Sequence, residues 1–458
     1  MKKVNKFRLS FYLSLIIVIT SSFPFILKSH NYPGLISEWV QLDSLPYTQE
    51  FHVTLGWQKH DTNYIITAGG RVNNITSVEV LMYNTNSNQY RFLNPLPIPL
   101  ERAGGFILED SIYIIGGSTN SGNNFSNQVF KLDLTSTAPW ILKNNFPINI
   151  GEITNSTTAL NDEFAYVAGG SNGTSALNNV FIYNAMIDSW FTASPLPGSG
   201  KYGGGLAAIN DSTLLFVGGR NSSTVFSQTY KGEINNSNPT VIDWTTGPQY
   251  PSGEIYYPGS WGSKDGYAYF TGGSSSVIDD IESFRASNKT YRYNSSTGTF
   301  DTLSDKPTPV SHTQIFGFDS NPSPPPMIYK VYAPGGNSNG NAQRVHELLI
   351  VTDTSVSNIK LVSGTFPKEY ILYQSYPNPF NPSTKIKYDL PKKGKVKLII
   401  YDLLGREIKR LIKNELMPAG RHTEEFTGQH LASGVYFYRL EVDDGKEYLM
   451  TKKMVYVK

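Results

Sequence analysis

The chain has 458 residues, 39 of them basic and 37 acidic, and no cysteine. That excludes disulfides, thiolate metal sites, cysteine nucleophiles and a lipidated N-terminal cysteine. The net charge of +2 hides a segregation: residues 31–363 carry 17 basic against 26 acidic side chains, a composition without the basic footprint of a nucleic-acid binder, while residues 364–458 carry 17 basic against 11 acidic.

The first 30 residues hold five Lys/Arg and no acid. In MKKVNKFRLSFYLSLIIVITSSFPF a basic head precedes an apolar run from Leu9 to Thr20, then small residues and Pro24. This composition predicts a secretory signal over residues 1–30, cleaved between Ser21 and Tyr32. The apolar run is too short for a membrane span, which takes about 20 residues. No stable transmembrane span is expected elsewhere.

The middle of the chain repeats. An apolar strand ends in Gly-Gly six times, at Gly69–Gly70, Gly116–Gly117, Gly169–Gly170, Gly218–Gly219, Gly272–Gly273 and Gly335–Gly336, with spacings of 47, 53, 49, 54 and 63 residues. A polar loop and a strand with an aromatic follow most pairs (Tyr83, Phe130, Tyr183, Tyr230, Tyr293). A further strand carries a second aromatic: Tyr90, Trp140, Trp190, Trp244, Phe300. Each unit thus reads as four short strands without helical periodicity. Such sheets bury both faces only by stacking radially. After the sixth Gly-Gly comes a strand, VHELLIVTD, and no tryptophan. The missing aromatic strand is at the other end, in SEWVQLDSLP with Trp39, which is expected to complete the last blade and clasp the ring.

The recurring Gly-Gly, Tyr and Trp resemble the kelch repeat. The resemblance implies a six-bladed β-propeller over residues 31–360, akin to the galactose oxidase central domain. That enzyme's copper-bound, cysteine-crosslinked tyrosine has no counterpart in a chain without cysteine. The repeat departs from its pattern at Tyr90 and at an NPSPPP insertion, residues 321–326.

Beyond Gly364 the text changes. In SYPNPFNPST, Pro377, Pro379 and Pro382 fix φ and remove backbone donors, so the stretch is extended and not a central strand. Phe380 sits between them as an apolar anchor, beside Asn378. TKIKYDL alternates Ile386, Tyr388 and Leu390 against Lys385, Lys387 and Asp389. KVKLIIYDLLGREIKRLI reads as strand, Gly405 turn and strand. The segment from Gly434 reads as a hairpin across Asp443–Gly445. About seven strands make a small Ig-like β-sandwich over residues 361–458. The ordered set YPNPFNPST, GKVKLIIYDLLGREI, PAGRH, LASGVYFYRLE and KKMVYVK resembles the C-terminal sorting domain of the type IX secretion system. That resemblance implies a Gram-negative bacterium of the Bacteroidetes–Chlorobi type, Sec export, passage through the type IX machinery, and a surface or secreted location.

Signals of catalysis are sparse. The seven histidines include no His-Glu-x-x-His and no close zinc pair, and no cofactor or metal is expected. GGSNG (169–173) matches Gly-x-Ser-x-Gly in letters, but there it is a repeat Gly-Gly followed by a loop, not a strand-to-helix elbow. DDIE (279–282) reads as a solvated loop before a cation site. Propellers use the loops at one mouth of their channel. The loops before the innermost strands offer His52, Arg102, Asn155, Lys201, Tyr202, Glu254 and His312. Those after each Gly-Gly offer Arg71, Asn172, Arg220 and Asn337. Arg71, Arg102, Tyr202 and Arg220 are the ligand-binding candidates, Arg pairing with carboxylates and Tyr stacking on a sugar face. Glu254 and His312 are the candidate acid–base groups. The expected function is a binding module for a protein or glycan. The alternative is a carbohydrate-active enzyme resembling the kelch family that epimerises N-acetylneuraminate.

Overall fold

The computed structural model describes residues 27–458 except 33–34, 60–61, 121, 123, 161–162, 276–284, 321–326, 354–368, 393, 418–419, 430 and 444–446. Residues 1–26 of the expected signal, the DDIE run and the NPSPPP insertion lie outside the described residues. The chain divides into two compact units at Asn358/Ile359. Among the described residues, strands are the only regular secondary structure of any length.

Among the described residues, the first unit holds six four- or five-stranded antiparallel sheets, the blades, with a three-stranded and a two-stranded sheet in their loops. Blade one is Val53–Lys59, Thr62–Ala68, Val80–Asn84 and Gln89–Phe92. Blades two to five span residues 104–142, 157–193, 205–246 and 259–302. Blade six is Phe316–Ser320, Met327–Pro334, His346–Asp353 and then Leu35–Gln41, edged by Leu27–Tyr32. The expected clasp is present: Trp39 pairs with Leu349 in register and is 1% exposed.

The Gly-Gly pairs close the ring. Every first glycine has φ between 59° and 73°, and every second between 80° and 104°, a region that glycine enters without steric cost. At Gly218 a Cβ would lie 2.2 Å from the Ile255 carbonyl oxygen, and that same oxygen accepts the Gly219 amide at 2.9 Å. The pattern repeats from blade to blade, Gly70 to Leu100 and Gly117 to Ile150 among them. It ends with Gly336 donating to Gln49 O at 2.7 Å, which joins blade six to blade one. So each Gly-Gly pins the segment entering the next blade.

The outer tryptophans tie each blade to the one before. The indole N–H of Trp140 donates to Asn94 O (2.9 Å), Trp190 to Asn144 O (3.3 Å), Trp244 to Ser194 O (3.0 Å) and Trp39 to Ser304 O (2.9 Å). Tyr90, the departure in blade one, keeps the role: its hydroxyl donates to Asp43 O at 2.7 Å. Phe300 has no donor and only packs, 5.6 Å from Tyr250. Trp140→Phe is therefore expected to lower unfolding free energy by about 1 kcal/mol, the net worth of one such bond. Urea denaturation of the full chain checks this, and an unchanged midpoint counts against the latch.

The second unit is a sandwich. Its sheets are Ile371–Leu372, Ser383–Leu390 and Gly420–Thr427 on one side, and Gly394–Tyr401, Glu407–Met417, Gly434–Asp443 and Glu447–Tyr456 on the other. Ile386, Tyr388 and Leu390 are fully buried, as their alternation requires. Phe380 is 1% exposed, its ring 5.0 Å from Tyr456 and 5.9 Å from Phe426. Gly405 turns at φ 76°, where Asp402 Oδ1 accepts the Leu404 and Arg406 amides, each at 2.9 Å.

Candidate ligand-binding mouth

Two residues before most innermost strands, the entering segment passes through positive φ. Phe51 (54°), Arg102 (56°), Glu152 (59°), Gly203 (64°), Tyr257 (49°) and His312 (56°) occupy this position in the six blades. Five of the six are not glycine, and each such residue costs on the order of 1 kcal/mol. Backbone bonds link four neighbouring pairs of them. The Phe51 amide donates to His312 O (3.1 Å), Arg102 to Phe51 O (3.0 Å), Gly203 to Glu152 O (3.1 Å) and Tyr257 to Gly203 O (2.6 Å). The strain recurs from blade to blade at one end of the channel.

The ring gathers charge. Arg102 Nη1 donates to Glu152 Oε1 at 2.9 Å, and its Nε lies 3.5 Å from Glu101. Arg71 grips Glu101 through two bonds, 2.8 and 3.1 Å, and stands 3.8 Å from Glu50. The Tyr257 hydroxyl donates to the other Glu152 oxygen. Asn337 donates to Glu50 at 2.6 Å. Both arginines lie over the Phe51 ring, at 5.0 and 5.2 Å, and the His312 ring packs 4.2 Å from both Phe51 and Tyr257. Arg220 lies over Tyr256 (5.2 Å) and Tyr202 (5.8 Å).

The electrostatics follow from burial and pairing. Burial works against the Arg102 cation, but Glu152, Tyr257, Glu101 and Glu50 outweigh it and hold its pKa above the usual value. Burial, helped by the three arginines, drives the His312 pKa well below the ordinary range, so the ring is neutral. Burial pushes the Glu50 carboxyl up, against the pull of Asn337 and Arg71. Burial, with Glu152 beside it, raises the Tyr257 phenol well above its ordinary value.

Six predicted residues, Arg71, Arg102, Tyr202, Arg220, His312 and Asn337, meet at this mouth. Glu254 does not. It is exposed, three residues ahead of the ring position Tyr257. His52 and Asn155 are fully buried. The Lys201 ammonium turns inward onto Ser199 O (2.8 Å) and Pro197 O (3.1 Å), and burial lowers its pKa to about 8. Asn172 caps its own loop, accepting the Thr174 and Ser175 amides. Ser171 lies in that hairpin, bridged to Gly151 and Ala176, with no nucleophile elbow. Sequence reasoning missed Glu50, Phe51, Glu101, Glu152, Tyr256 and Tyr257. Phe51, Arg102 and Tyr257 stand two residues before their inner strands, but Glu152 stands five before and His312 four before, so this spacing finds Tyr257 and not Glu152.

Cavities are found among the described residues of the propeller. One of about 400 Å³ opens beside Glu152 and Tyr202, between the loops of blades three and four. Another of about 460 Å³ is lined by the innermost strands, with Leu55, Phe106, Trp261, Phe316 and Lys264 among its residues.

Comparison with known proteins agrees with this architecture. The family described as a secretion system C-terminal sorting domain matches residues 374–458, and the kelch motif matches residues 165–197. The chain carries kelch repeats and ends in a secretion-system sorting domain. Kelch repeat and BTB domain-containing protein 2 of cowpox virus is 26% identical over 224 residues, 45% of this chain and 36% of that protein. Kelch-like protein terF of Aspergillus terreus is 28% identical over 186 residues, 38% of this chain and 40% of that protein. The chain thus spans well under half the length of these relatives. Among solved structures, "Structure of YjhT" covers 67% of this chain and 95% of its own at a TM-score of 0.52 and 14% identity, a likeness of fold alone. The kelch propeller with a type IX sorting tail is an exported protein, placed at the cell surface or released.

Proposed function

We propose that this exported kelch propeller is a binding module whose ligand docks at the Gly-Gly mouth, and that the basic head and apolar run within residues 1–30, ahead of the blade-six edge strand Leu27–Tyr32, are the Sec signal that starts its export. The observation that carries the reading is the strained ring of six loop residues. It concentrates Arg71, Arg102, Tyr202, Arg220 and the glutamates at one end of the channel. Strain of this kind persists where geometry must be held for recognition. Three guanidiniums, each partly exposed, offer planar donors to a ligand, and Tyr202 offers a ring face. The sorting domain engages the type IX machinery on this reading, so the propeller is the cargo that works outside the cell.

The enzymatic alternative asked Glu254 and His312 to act beside Arg102 and Arg220. With Glu254 exposed outside the ring and His312 buried and neutral, the acid–base pair has no shared reaction space. Binding is the better-supported reading.

The test is a mixed array of glycans and bacterial surface proteins probed with the full chain. Arg220→Ala is expected to weaken a captured ligand about tenfold, the loss of one good polar or cation–π contact. Capture unaffected by Arg220→Ala, Tyr202→Ala and Arg71→Ala alike would place the ligand elsewhere and overturn the reading.

A further inference from the structure

We infer that the cavity between blades three and four is a subsite for an uncharged saccharide. The inference rests on the mouth being the binding face and names the ligand class.

The lining carries the argument. Hydroxyls and an amide surround the cavity, from Ser171, Thr174, Ser175, Ser199, Ser222 and Asn221, with small residues between them. No lysine or arginine lines it. The nearby guanidiniums lie outside the lining, and part of each donor set is already taken. Arg71 is held by Glu101, Arg102 by Glu152, and Arg220 is laid on two tyrosine rings with its Nε donating to Asn221 O at 3.2 Å. An anionic ligand would therefore enter past the Glu152 carboxylate without a lining cation to receive it. A polyol meets a different environment.

Glu152 is the one charge in the wall, and it is 8% exposed. Arg102 occupies one lone pair of Oε1 and Tyr257 one of Oε2. A carboxylate has about four acceptor sites, so each oxygen keeps one for a ligand hydroxyl. Two adjacent sugar hydroxyls, both donors, match that pair. Tyr202 lines the cavity and supplies the apolar wall against which the C–H face of a pyranose packs. A space of about 400 Å³ lies in the usual range for small-molecule sites.

The experiment measures full-chain binding to two matched probe sets on one array: neutral hexose oligosaccharides, and uronate oligosaccharides of equal length. Neutral oligosaccharides are expected to bind. Tyr202→Ala, and separately Ser175→Trp, which fills the exposed rim of the cavity, should each weaken them about tenfold or more. Lys264→Ala, at the channel cavity, should not. Circular dichroism confirms that each variant is folded. Binding of uronates alone, or neutral binding indifferent to Ser175→Trp, overturns the saccharide subsite. If a ligand of another class is bound and Arg220→Ala weakens it while Ser175→Trp does not, the mouth remains the binding face and only the saccharide inference falls. If nothing on either array binds the folded chain, both fall.

Discussion

Trp39→Ala should be the most damaging single change on the outer rim of the propeller, lowering unfolding free energy by about 3–5 kcal/mol. Three contributions meet at this residue. Its ring is 1% exposed in a core shared with Trp261, Tyr269, Leu303 and Tyr329. Its indole N–H satisfies Ser304 O at 2.9 Å, and its neighbour Ser37 shares a 3.1 Å bond with the Ser304 hydroxyl. The fully buried Lys306 ammonium, paired with Glu347, lies 5.7 Å from the Trp39 ring. No other tryptophan latch joins strands so distant in sequence, since Trp39 and Ser304 are 265 residues apart. Losing it releases the clasp as well as a side chain. Trp39→Phe keeps most of the packing and should cost about 1 kcal/mol, the hydrogen bond alone. Guanidinium unfolding of both variants separates the two. Equal losses would mean the clasp is held by its strand pairing and not by Trp39.

Acid should destabilise the propeller steeply below pH 6.5. Burial lowers the pKa of His52 and His346 to about 3, and that of His312 well below its ordinary value. In the unfolded chain a histidine titrates near 6.5. Between the two values the unfolded state binds a proton that the folded state refuses. Stability therefore falls as pH falls, by about 1.4 kcal/mol per pH unit for each such histidine. Three together approach about 4 kcal/mol per unit. Asp265 and Glu50, whose carboxyls burial pushes up, act with the opposite sign and blunt the loss as pH falls through their raised pKa values. Denaturation midpoints at pH 7, 6 and 5 measure the slope. His312→Asn should reduce that slope by about one histidine's share, about 1.4 kcal/mol per pH unit. A slope unchanged by the substitution would mean that His312 takes up a proton in the folded mouth.

The blades were legible because their signals are local. Gly-Gly marks a positive-φ corner wherever it occurs, so six pairs announced six blades. The absence of a tryptophan after VHELLIVTD, and its presence in SEWVQLDSLP, pointed to the clasp. In the tail, period-two alternation put Ile386, Tyr388 and Leu390 on one face without further information. The mouth was only half legible. Arg102 and His312 stood out by residue type, but their partners Glu152 and Tyr257 come from blades about 50 residues apart, and no local pattern links them. His52 follows a ring residue by one position, and that single step in strand phase sends it into the core while Arg102 faces the mouth. Lys201 was misread because a long stem can turn its charge inward when carbonyls cap it, here those of Pro197 and Ser199. Glu254 was misread because three residues of loop separate it from the ring, and loop length alone does not set direction.

The most direct test of the mouth as the binding face is hydrogen–deuterium exchange of the full chain with a ligand captured on the array. Slowed exchange in segments 171–176, 199–203 and 220–224, with the rest of the channel unchanged, is the predicted result. Protection confined to the inner-strand ends around Gln58, Trp261–Lys264 and Phe316–Phe318 would contradict it and move the site to the other cavity.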